Sequence, residues 1–513
     1  MKYLKYYKYI LGIAVAFSTA SCNEDSFLNV EPKGKLSSDT YLETEAEVKT
    51  VVVGVYNSMQ ENYSSGAWAS VYFIKNLPAD DCLAGSTEGD QADYQYIDDF
   101  AIQTTNAKLE GIWTNFYKAI SSANTVINLV EPSTDGRKAL IAEAKALRAY
   151  NYLELVTLFG GVPLMTVNPV DPSEYHLPRA GADEVYAQIE KDFSEAIVDL
   201  PLKSEYSSAD KYRFSKGTAQ AYYGKALLYQ KKYAEAAIQL AAVISSSEYD
   251  LEPNFADVWT QGTEFGQESL FEMSYTSQEL YDWGSFPWDG TNESNIEAQL
   301  QGPRGDIFDV SGSSLNIVNG WGFNAPSAKI AQAFIDAGDT ERKNATLISA
   351  DDFFATGGKY AEKYNGDAHD YEGFMRLKYA TKAAETAAAP ATAELNYTIN
   401  WRLMRYADVL LMAAEAYHFS DQPGLALIEL NKVRERAGLS DLTEVVFEAI
   451  VTERQLELAF EGSRYWDLVR WGLASQELGS LGYQTGKHEL FPIPQNEIIA
   501  NNAIAETDQN PGY

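Results

Sequence analysis

Apolar residues recur at steps of three and four along much of this chain, a spacing that places them on one face of an α-helix. The pattern is densest in residues 402–471, where it predicts four consecutive helices with tight connections. The apolar positions of the first three are Leu403, Tyr406, Leu410, Ala413 and Tyr417, then Ala426, Leu427, Leu430, Val433 and Ala437, then Phe447, Ile450, Val451 and Leu458. Gly438 follows the second group in the position of a helix C-cap.

The same periodicity predicts helices over about 40–60, 106–250 and 400–480. Within residues 218–244, the small residue Gly224 in one helix and Ala236 in the next resemble a tetratricopeptide unit. Ala414 and Ala426 repeat that arrangement later in the chain. The pattern therefore predicts a mainly α fold whose scaffold is built from tetratricopeptide-like helix pairs.

Two regions lose this periodicity, about 61–105 and 257–399. They are rich in Gly, Asn, Ser and aromatic residues, and only residues 327–337 in them are typical of a helix. Loops on a rigid scaffold are where binding residues concentrate, so we expect a large, irregular, loop-rich half that faces a ligand. The tail 483–513 contains Pro492 and Pro494, and we expect it to run extended along the scaffold.

The N-terminus has the pattern of a secretion signal. Lys2, Lys5 and Lys8 precede a short apolar run at residues 10–17, which is too short to span a bilayer. Small residues then lead into Cys22, and this junction resembles a bacterial lipoprotein signal. The acidic residues after Cys22 resemble the surface-export signal of Bacteroidetes lipoproteins. The prediction is a signal peptide at 1–21, a lipidated Cys22 and a single domain at 22–513; an ordinary secretory signal with a chance Cys is the alternative.

Charge and composition narrow the possible partners. The net charge of −33 repels phosphate backbones, which excludes nucleic acid as an expected ligand. Hydrophobic residues make up 45% of the chain and supply enough apolar surface for a folded core. Cys82 is the only cysteine besides Cys22, so we expect no internal disulfide once Cys22 is modified. Contact with a membrane is expected only through the lipid anchor.

Charged residues on the apolar stripe near the end of the chain raise the question of catalysis. Arg454 and Glu461 lie seven positions apart, about 10 Å along a helix axis, so they cannot pair with each other. Arg464, Asp467 and Arg470 follow as possible partners. We interpret the five as a buried structural charge network, with an acid/base pair as the alternative.

Other signatures of enzymes are missing from the sequence. The four histidines show no metal-ligand spacing, and there is neither a GxSxG motif nor a Gly-rich phosphate loop. We therefore predict no enzyme activity, no metal and no cofactor. Carboxylate pairs arise by chance among 73 acidic residues, which leaves a secreted glycoside hydrolase as a remote alternative.

Aromatic residues in the two loop regions are the candidate ligand contacts. Exposed rings stack on the C–H faces of sugars, while neighbouring amides and carboxylates pair with hydroxyl groups. The candidates are Trp68, Tyr72, Asp80, Asp81, Tyr94 and Tyr96 from the first region and Trp283, Trp288, Asn292, Trp321 and Asn324 from the second. For each of them the alternative is packing beneath a long loop, and this alternative is strongest for Trp321.

Several segments, taken in order, resemble the SusD/RagB family of outer-membrane nutrient-binding lipoproteins. They are Phe27-Leu28-Asn29-Val30-Glu31-Pro32, Arg405-Tyr406-Ala407-Asp408-Val409-Leu410-Leu411, Leu430-Asn431-Lys432-Val433-Arg434-Glu435-Arg436-Ala437-Gly438, Phe460-Glu461-Gly462, Arg470-Trp471, Pro492-Ile493-Pro494 and Gln509-Asn510-Pro511-Gly512-Tyr513. Each segment alone is a weak signal, whereas their order and spacing are specific.

The resemblance implies an outward-facing, lipid-anchored protein of the outer membrane. It would capture an oligosaccharide or polysaccharide without catalysis and deliver it to a TonB-dependent transporter of the SusC type. A helical scaffold or lid protein that binds a protein or peptide remains the alternative function.

Overall fold

The computed structural model describes residues 42–513 except 289–291, 367 and 388–390. The chain divides into two units, Met1–Glu47 and Val48–Tyr513, and the second contains the fold. The predicted signal peptide 1–21, the lipidation site Cys22 and the segment Phe27-Leu28-Asn29-Val30-Glu31-Pro32 lie outside the described residues.

The described chain is mainly helical, as predicted. The helices are α1 Glu45–Gln60, α2 Val71–Asn76, α3 Ala92–Asp98, α4 Ala107–Leu129, α5 Asp135–Phe159, α6 Ala182–Asp199, α7 Lys216–Tyr229, α8 Tyr233–Ser245, α9 Glu297–Gln301, α10 Ala328–Asp336, α11 Thr340–Thr346, α12 Ala350–Ala355, α13 Tyr406–Phe419, α14 Pro423–Arg436, α15 Phe447–Glu457, α16 Arg464–Trp471, α17 Ala474–Leu478 and α18 Gln495–Ala500. The strands are β1 Cys82–Gly85, β2 Ser269–Met273, β3 Phe308–Asp309, β4 Phe323–Pro326, β5 Leu347–Ser349, β6 Lys359–Tyr360, β7 Phe374–Arg376 and β8 Trp401–Arg405.

Consecutive helices pack as pairs from α4 to α8, and α13 packs on both α8 and α14. Gly224 of α7 lies so close to α8 that a Cβ there would stand 2.7 Å from Cγ of Leu240. Ala236 of α8 and Ala426 of α14 are fully buried, as the crossing of paired helices requires. The predicted helix-pair scaffold is therefore confirmed.

The late block contains the four predicted helices, α13 to α16, but its first residues were assigned wrongly. Residues 401–405 form strand β8, which pairs antiparallel with β2, and α13 begins only at Tyr406. Both strands are almost entirely buried. Their apolar residues are therefore compatible with a buried strand as well as with the apolar face of a helix. The partner of β8 lies more than a hundred residues earlier in the chain, where local periodicity cannot reveal it.

The two loop-rich regions contain short elements that the sequence pattern missed. Region 61–105 holds α2, β1 and α3, and region 257–399 holds α9 to α12 and most of the short strands. The helix predicted at 327–337 is present as α10. Strand β1 pairs antiparallel with β4, with Cys82 opposite Pro326 and Gly85 opposite Phe323. This pairing joins the first loop region directly to the second.

The C-terminal tail packs back along the scaffold, as predicted. The amide of Phe491 donates to the carbonyl of Leu158 at 2.8 Å, and Nδ2 of Asn510 donates to the carbonyl of Phe159 at 2.9 Å. The tail is not wholly extended, because Pro494 caps the short helix α18. In the described part of the chain no helix is both long enough and apolar enough to cross a membrane.

Candidate functional site

Four of the predicted tryptophans come together on the surface from three separate segments of the chain. The ring centroid of Trp68 lies 4.8 Å from that of Trp321 and 6.3 Å from that of Trp288. Trp283 and Trp288 lie 5.9 Å apart with ring planes only 12° from parallel. Trp283 is 48% exposed and Trp288 is 39% exposed, whereas Trp68 and Trp321 are half-buried. We call these four residues the tryptophan platform.

A small apolar cluster supports the outer edge of the platform. Phe286 is buried against Tyr281, Ile296 and Leu395, and its ring lies 4.6 Å from that of Trp288. Gly66 lets the neighbouring loop approach the backbone of this segment, since a Cβ there would stand 2.5 Å from the carbonyl oxygen of Trp288. The two exposed rings are therefore held on packed residues, in a fixed relation to the loop that carries Trp68.

Hydrogen bonds fix the inner edge of the platform. Trp68 has a positive φ of 52°, a conformation that costs energy for a bulky residue. Its carbonyl accepts from the hydroxyl of Tyr94 at 2.8 Å, and the preceding carbonyl of Ala67 accepts from Nζ of Lys108 at 2.8 Å. The strained turn is thus held from below by two buried side chains.

A carboxyl group is buried in the same layer beneath the platform. Glu297 of α9 is fully buried, and burial raises its pKa to about 8 against the attraction of the Lys108 ammonium. Burial also lowers the pKa of Lys108. Both groups are buried beneath the loop that carries Trp68. A change in the charge of either group therefore alters the packing that supports the platform.

A polar cleft of about 410 Å³ adjoins Trp288. Its walls include Glu61, which directly follows α1, and the α4 residues Glu110, Thr114, Asn115 and Lys118. Nζ of Lys118 lies 3.0 Å from Oδ1 of Asn115 and 3.5 Å from Oε2 of Glu61. Hydrogen-bonding groups of both kinds therefore stand beside a stacking surface, which is the combination that a sugar needs.

Six of the predicted ligand contacts are corrected, because their side chains are buried. They are Tyr72, Asp80, Asp81, Tyr94, Asn292 and Asn324. Tyr72 stacks on Trp401 with ring centroids 4.3 Å apart, and Asp80 pairs with Arg464 at 2.8 Å. Burial and the neighbouring charge of Asp80 raise the pKa of Asp81 to about 6. Tyr96 of α3 is 41% exposed but is not one of the platform rings.

The residues predicted as a charge network are all paired, and their side chains are almost entirely covered. Nη1 of Arg454 lies 2.8 Å from Asp408, and its Nε lies 2.7 Å from Asp467. Arg470 pairs with the same Asp467 at 2.9 Å and also with Glu415. Glu461 pairs with Arg405 at 2.7 Å and with Lys378 at 2.9 Å. The network is distant in the sequence from the platform tryptophans and joins α13, α15 and α16 to strand β8.

The site also includes residues that the sequence pattern did not single out. Thr114, Asn115 and Lys118 lie on α4 and Glu61 directly follows α1. Polar side chains at such positions are usually simply solvated, and nothing local marks them as the wall of a cleft. Among the described residues, no group of three or more His, Cys, Asp or Glu side chains could hold a metal ion.

The fold and the comparisons with known proteins define the class. A model of the SusD family matches residues 355–490, and a model described as starch-binding associating with outer membrane matches residues 26–228. A solved structure named laminarin binding SusD-like protein is 32% identical, with a TM-score of 0.82, over 91% of this chain and 99% of its own. The chain belongs to the SusD family.

Individual relatives extend the match over the full length. SusD-like protein P2 of Formosa agariphila is 27% identical over 99% of this chain and 100% of its own. Surface glycan-binding protein A from Bacteroides thetaiotaomicron, solved in complex with laminarihexaose, is 26% identical with a TM-score of 0.76 and covers 91% of this chain and 99% of its own. The two solved relatives are named for binding, one of laminarin and the other of glycans. The chain is a non-catalytic member of the family.

Proposed function

We propose that this protein binds a laminarin-type glycan on the tryptophan platform at the outer surface of the outer membrane and delivers it to a TonB-dependent transporter of the SusC type. The observation that carries the proposal is the platform itself, where two exposed rings and two half-buried rings stand beside a polar cleft. The protein captures the glycan and catalyses no reaction on it.

The platform suits a neutral polysaccharide for a physical reason. Its rings offer apolar faces to the C–H groups of sugars, and amide, hydroxyl, ammonium and carboxylate groups of the cleft can pair with sugar hydroxyls. The net charge of −33 disfavours an anionic polymer. An open arrangement of rings also accepts a chain that continues beyond the site at both ends.

The relatives support the choice of glycan and the location. One solved relative is named for laminarin binding, and another is solved with laminarihexaose. The family model that matches residues 26–228 is described as associating with the outer membrane. The lipidation of Cys22 and the partnership with a SusC-type transporter complete the proposal, because a tethered capture protein needs a channel to receive its ligand.

The test is to replace Trp283 and Trp288 by Ala, singly and together, and to measure retention in a laminarin affinity gel and binding by calorimetry. Each loss removes one stacking face, so we expect each single variant to bind at least about tenfold more weakly, corresponding to about 1.4 kcal/mol. The double variant should not be retained. Its melting temperature should stay close to that of the wild type, because Trp283 is 48% and Trp288 39% exposed and neither belongs to the helical scaffold.

Tyr360→Ala is the matched control, since Tyr360 is 39% exposed like Trp288 and is a ring outside the platform. It should bind laminarin as the wild type does. Wild-type binding by the double tryptophan variant would place the ligand elsewhere. If the wild-type protein bound none of a panel of polysaccharides, the proposal of glycan capture would be wrong and protein or peptide binding would be favoured.

A further inference from the structure

A second and larger groove continues from the cleft at Trp288. Its volume is about 660 Å³, and its walls include Tyr117, Ser122, Tyr175 and Glu497. Thr114 and Lys118 line both this groove and the platform cleft, so the two spaces meet along α4. We propose that the groove, which we call the α4 groove, is a second subsite for the same glycan and holds the part of a chain that extends past Trp288. This inference rests on the proposed function.

The length of the shared helix face sets how much ligand it can accommodate. From Glu110 in the platform cleft to Ser122 in the α4 groove, the helix rises about 18 Å at 1.5 Å per residue. A chain of only a few sugar units bound at the platform is too short to cover this distance. A short oligosaccharide would therefore meet only the platform, whereas a longer chain would reach both sites.

The wall of the α4 groove is a built structure. Side chains of α4 fasten the segment after α5 along the helix: the Tyr117 hydroxyl donates to the carbonyl of Pro163 at 2.7 Å, and Nδ2 of Asn124 donates to that of Met165 at 3.0 Å. In return, Nδ2 of Asn168 donates to the carbonyl of Ser121 at 2.8 Å. A wall fixed in this way needs little ordering when a ligand binds, which lowers the entropic cost of binding.

The chemistry of the α4 groove repeats that of the platform. Tyr175 is 63% exposed and offers a ring face at the far end, while Tyr117 is half-buried in the floor. Lys118 and Glu497 supply a donor and an acceptor, and Thr114 and Ser122 supply hydroxyl groups. Aromatic faces mixed with polar groups of both signs suit a neutral polyhydroxylated chain better than an apolar or a singly charged ligand.

The opposite wall comes from the C-terminal tail. Nδ2 of Asn501, at the end of α18, donates to the carbonyl of Leu177 at 2.9 Å, and both residues line the α4 groove. The tail and the segment that carries Tyr175 are thereby joined across one side of the groove. The α4 groove shares Thr114 and Lys118 with the platform cleft, and this is the side from which a bound chain would enter.

The experiment compares ligands of different length on two variants. Calorimetry is performed with laminaritriose, laminarihexaose and laminarin on the wild type, on Tyr175→Ala, which removes the exposed ring, and on Ser122→Trp, which fills the α4 groove. We expect the wild type to bind laminarihexaose and laminarin more tightly than laminaritriose. Both variants should lose about fivefold to tenfold in affinity for the two longer ligands while their affinity for laminaritriose stays unchanged.

Tyr360→Ala is again the control and should keep the length dependence. Circular dichroism and melting curves show whether each variant folds, and the two variants are independent, so one that fails to fold leaves the other to decide. Unchanged affinity for laminarin in both variants, with laminaritriose still bound, would overturn the second subsite and leave the platform intact. If the wild type bound none of the three ligands, the proposed function would fail and this inference with it.

Discussion

At the scale of single residues, the most unusual group near the platform is Glu297. Its carboxyl is buried beneath the loop of Trp68, and burial raises its pKa to about 8 from an ordinary value of 4.5. An acid whose pKa is raised by folding stabilises the protein fully below the unfolded pKa and loses that contribution as the pH rises through the folded pKa. The stabilising contribution of Glu297 is therefore lost between about pH 4.5 and pH 8.

We predict that the stability of the wild type falls relative to Glu297→Gln as the pH rises through this window. Glutamine keeps the shape of the side chain but cannot ionise, so the difference in the free energy of unfolding should change by at least about 1.4 kcal/mol, the equivalent of one pKa unit. Urea denaturation at a series of pH values measures it. The exposed Glu444→Gln should show a flat difference. A flat difference for Glu297→Gln would contradict a neutral buried carboxyl.

The burial of six candidate ligand contacts could not be predicted from the sequence. Asp80 and Arg464 pair across 384 positions of sequence, and Tyr72 stacks on Trp401 from the far side of the chain. A residue in a loop-like stretch is exposed or buried according to such distant partners, which no local pattern reveals. Trp283 and Trp288 were predictable as exposed rings, because their segment lacks the apolar periodicity of a buried helix or strand.

At the scale of elements, the charge network joins helices α13, α15 and α16 to strand β8. Glu461 follows α15 and bonds to Arg405 of β8 and to Lys378, so one carboxylate neutralises two buried cations. Removing one partner of a buried pair leaves a charge without compensation. The network therefore stabilises the junction of β8, α13 and α15 through several partners at once.

Glu461→Ala should lower the free energy of unfolding by about 3 kcal/mol or more, because Lys378 and Arg405 lose a bonded anion in a buried setting. Chemical denaturation measures the loss, and the exposed Glu444→Ala should change stability by no more than about 0.5 kcal/mol. The folded fraction of the variant should still bind laminarin. Unchanged stability together with lost glycan binding would instead assign Glu461 to the ligand.

Some of these elements could be predicted from the sequence and others could not. Helices α13 to α16 could be predicted from the spacing of apolar residues within a few turns. The helix pair α7 and α8 could be predicted from the small residues Gly224 and Ala236. Strand β8 and the pairing of β1 with β4 did not follow, because a strand depends on a partner far away in the chain. Short strands of two to five residues carry too few side chains for alternation to stand out.

At the scale of the whole molecule, the scaffold and the rings of the tryptophan platform come from different parts of the chain. The helix pairs fix the frame, and the platform collects rings from residues 68, 283, 288 and 321. Loops on a rigid frame vary without loss of the core. This arrangement explains why the family could be predicted from the late helical block, whereas the ligand could not.

The proposed lipid anchor belongs to the scale of the whole molecule. Cys22→Ser should abolish lipid attachment and move the protein out of the membrane fraction, because Cys22 is the residue proposed to carry the lipid. Metabolic labelling with a radioactive fatty acid and fractionation of cells measure both effects. The purified variant should bind laminarin like the wild type. Continued labelling of Cys22→Ser would contradict lipidation at this residue.

The pairing of β1 with β4 has a mechanical consequence. It joins the first loop region to the second, and Trp68 and Trp321 meet beside that junction. A sugar chain that stacks across the platform would touch both regions at once and act as a noncovalent staple between distant parts of the polypeptide. Captured ligand would then make the protein harder to unfold by heat or by pulling, with a gain that grows with the logarithm of glycan concentration.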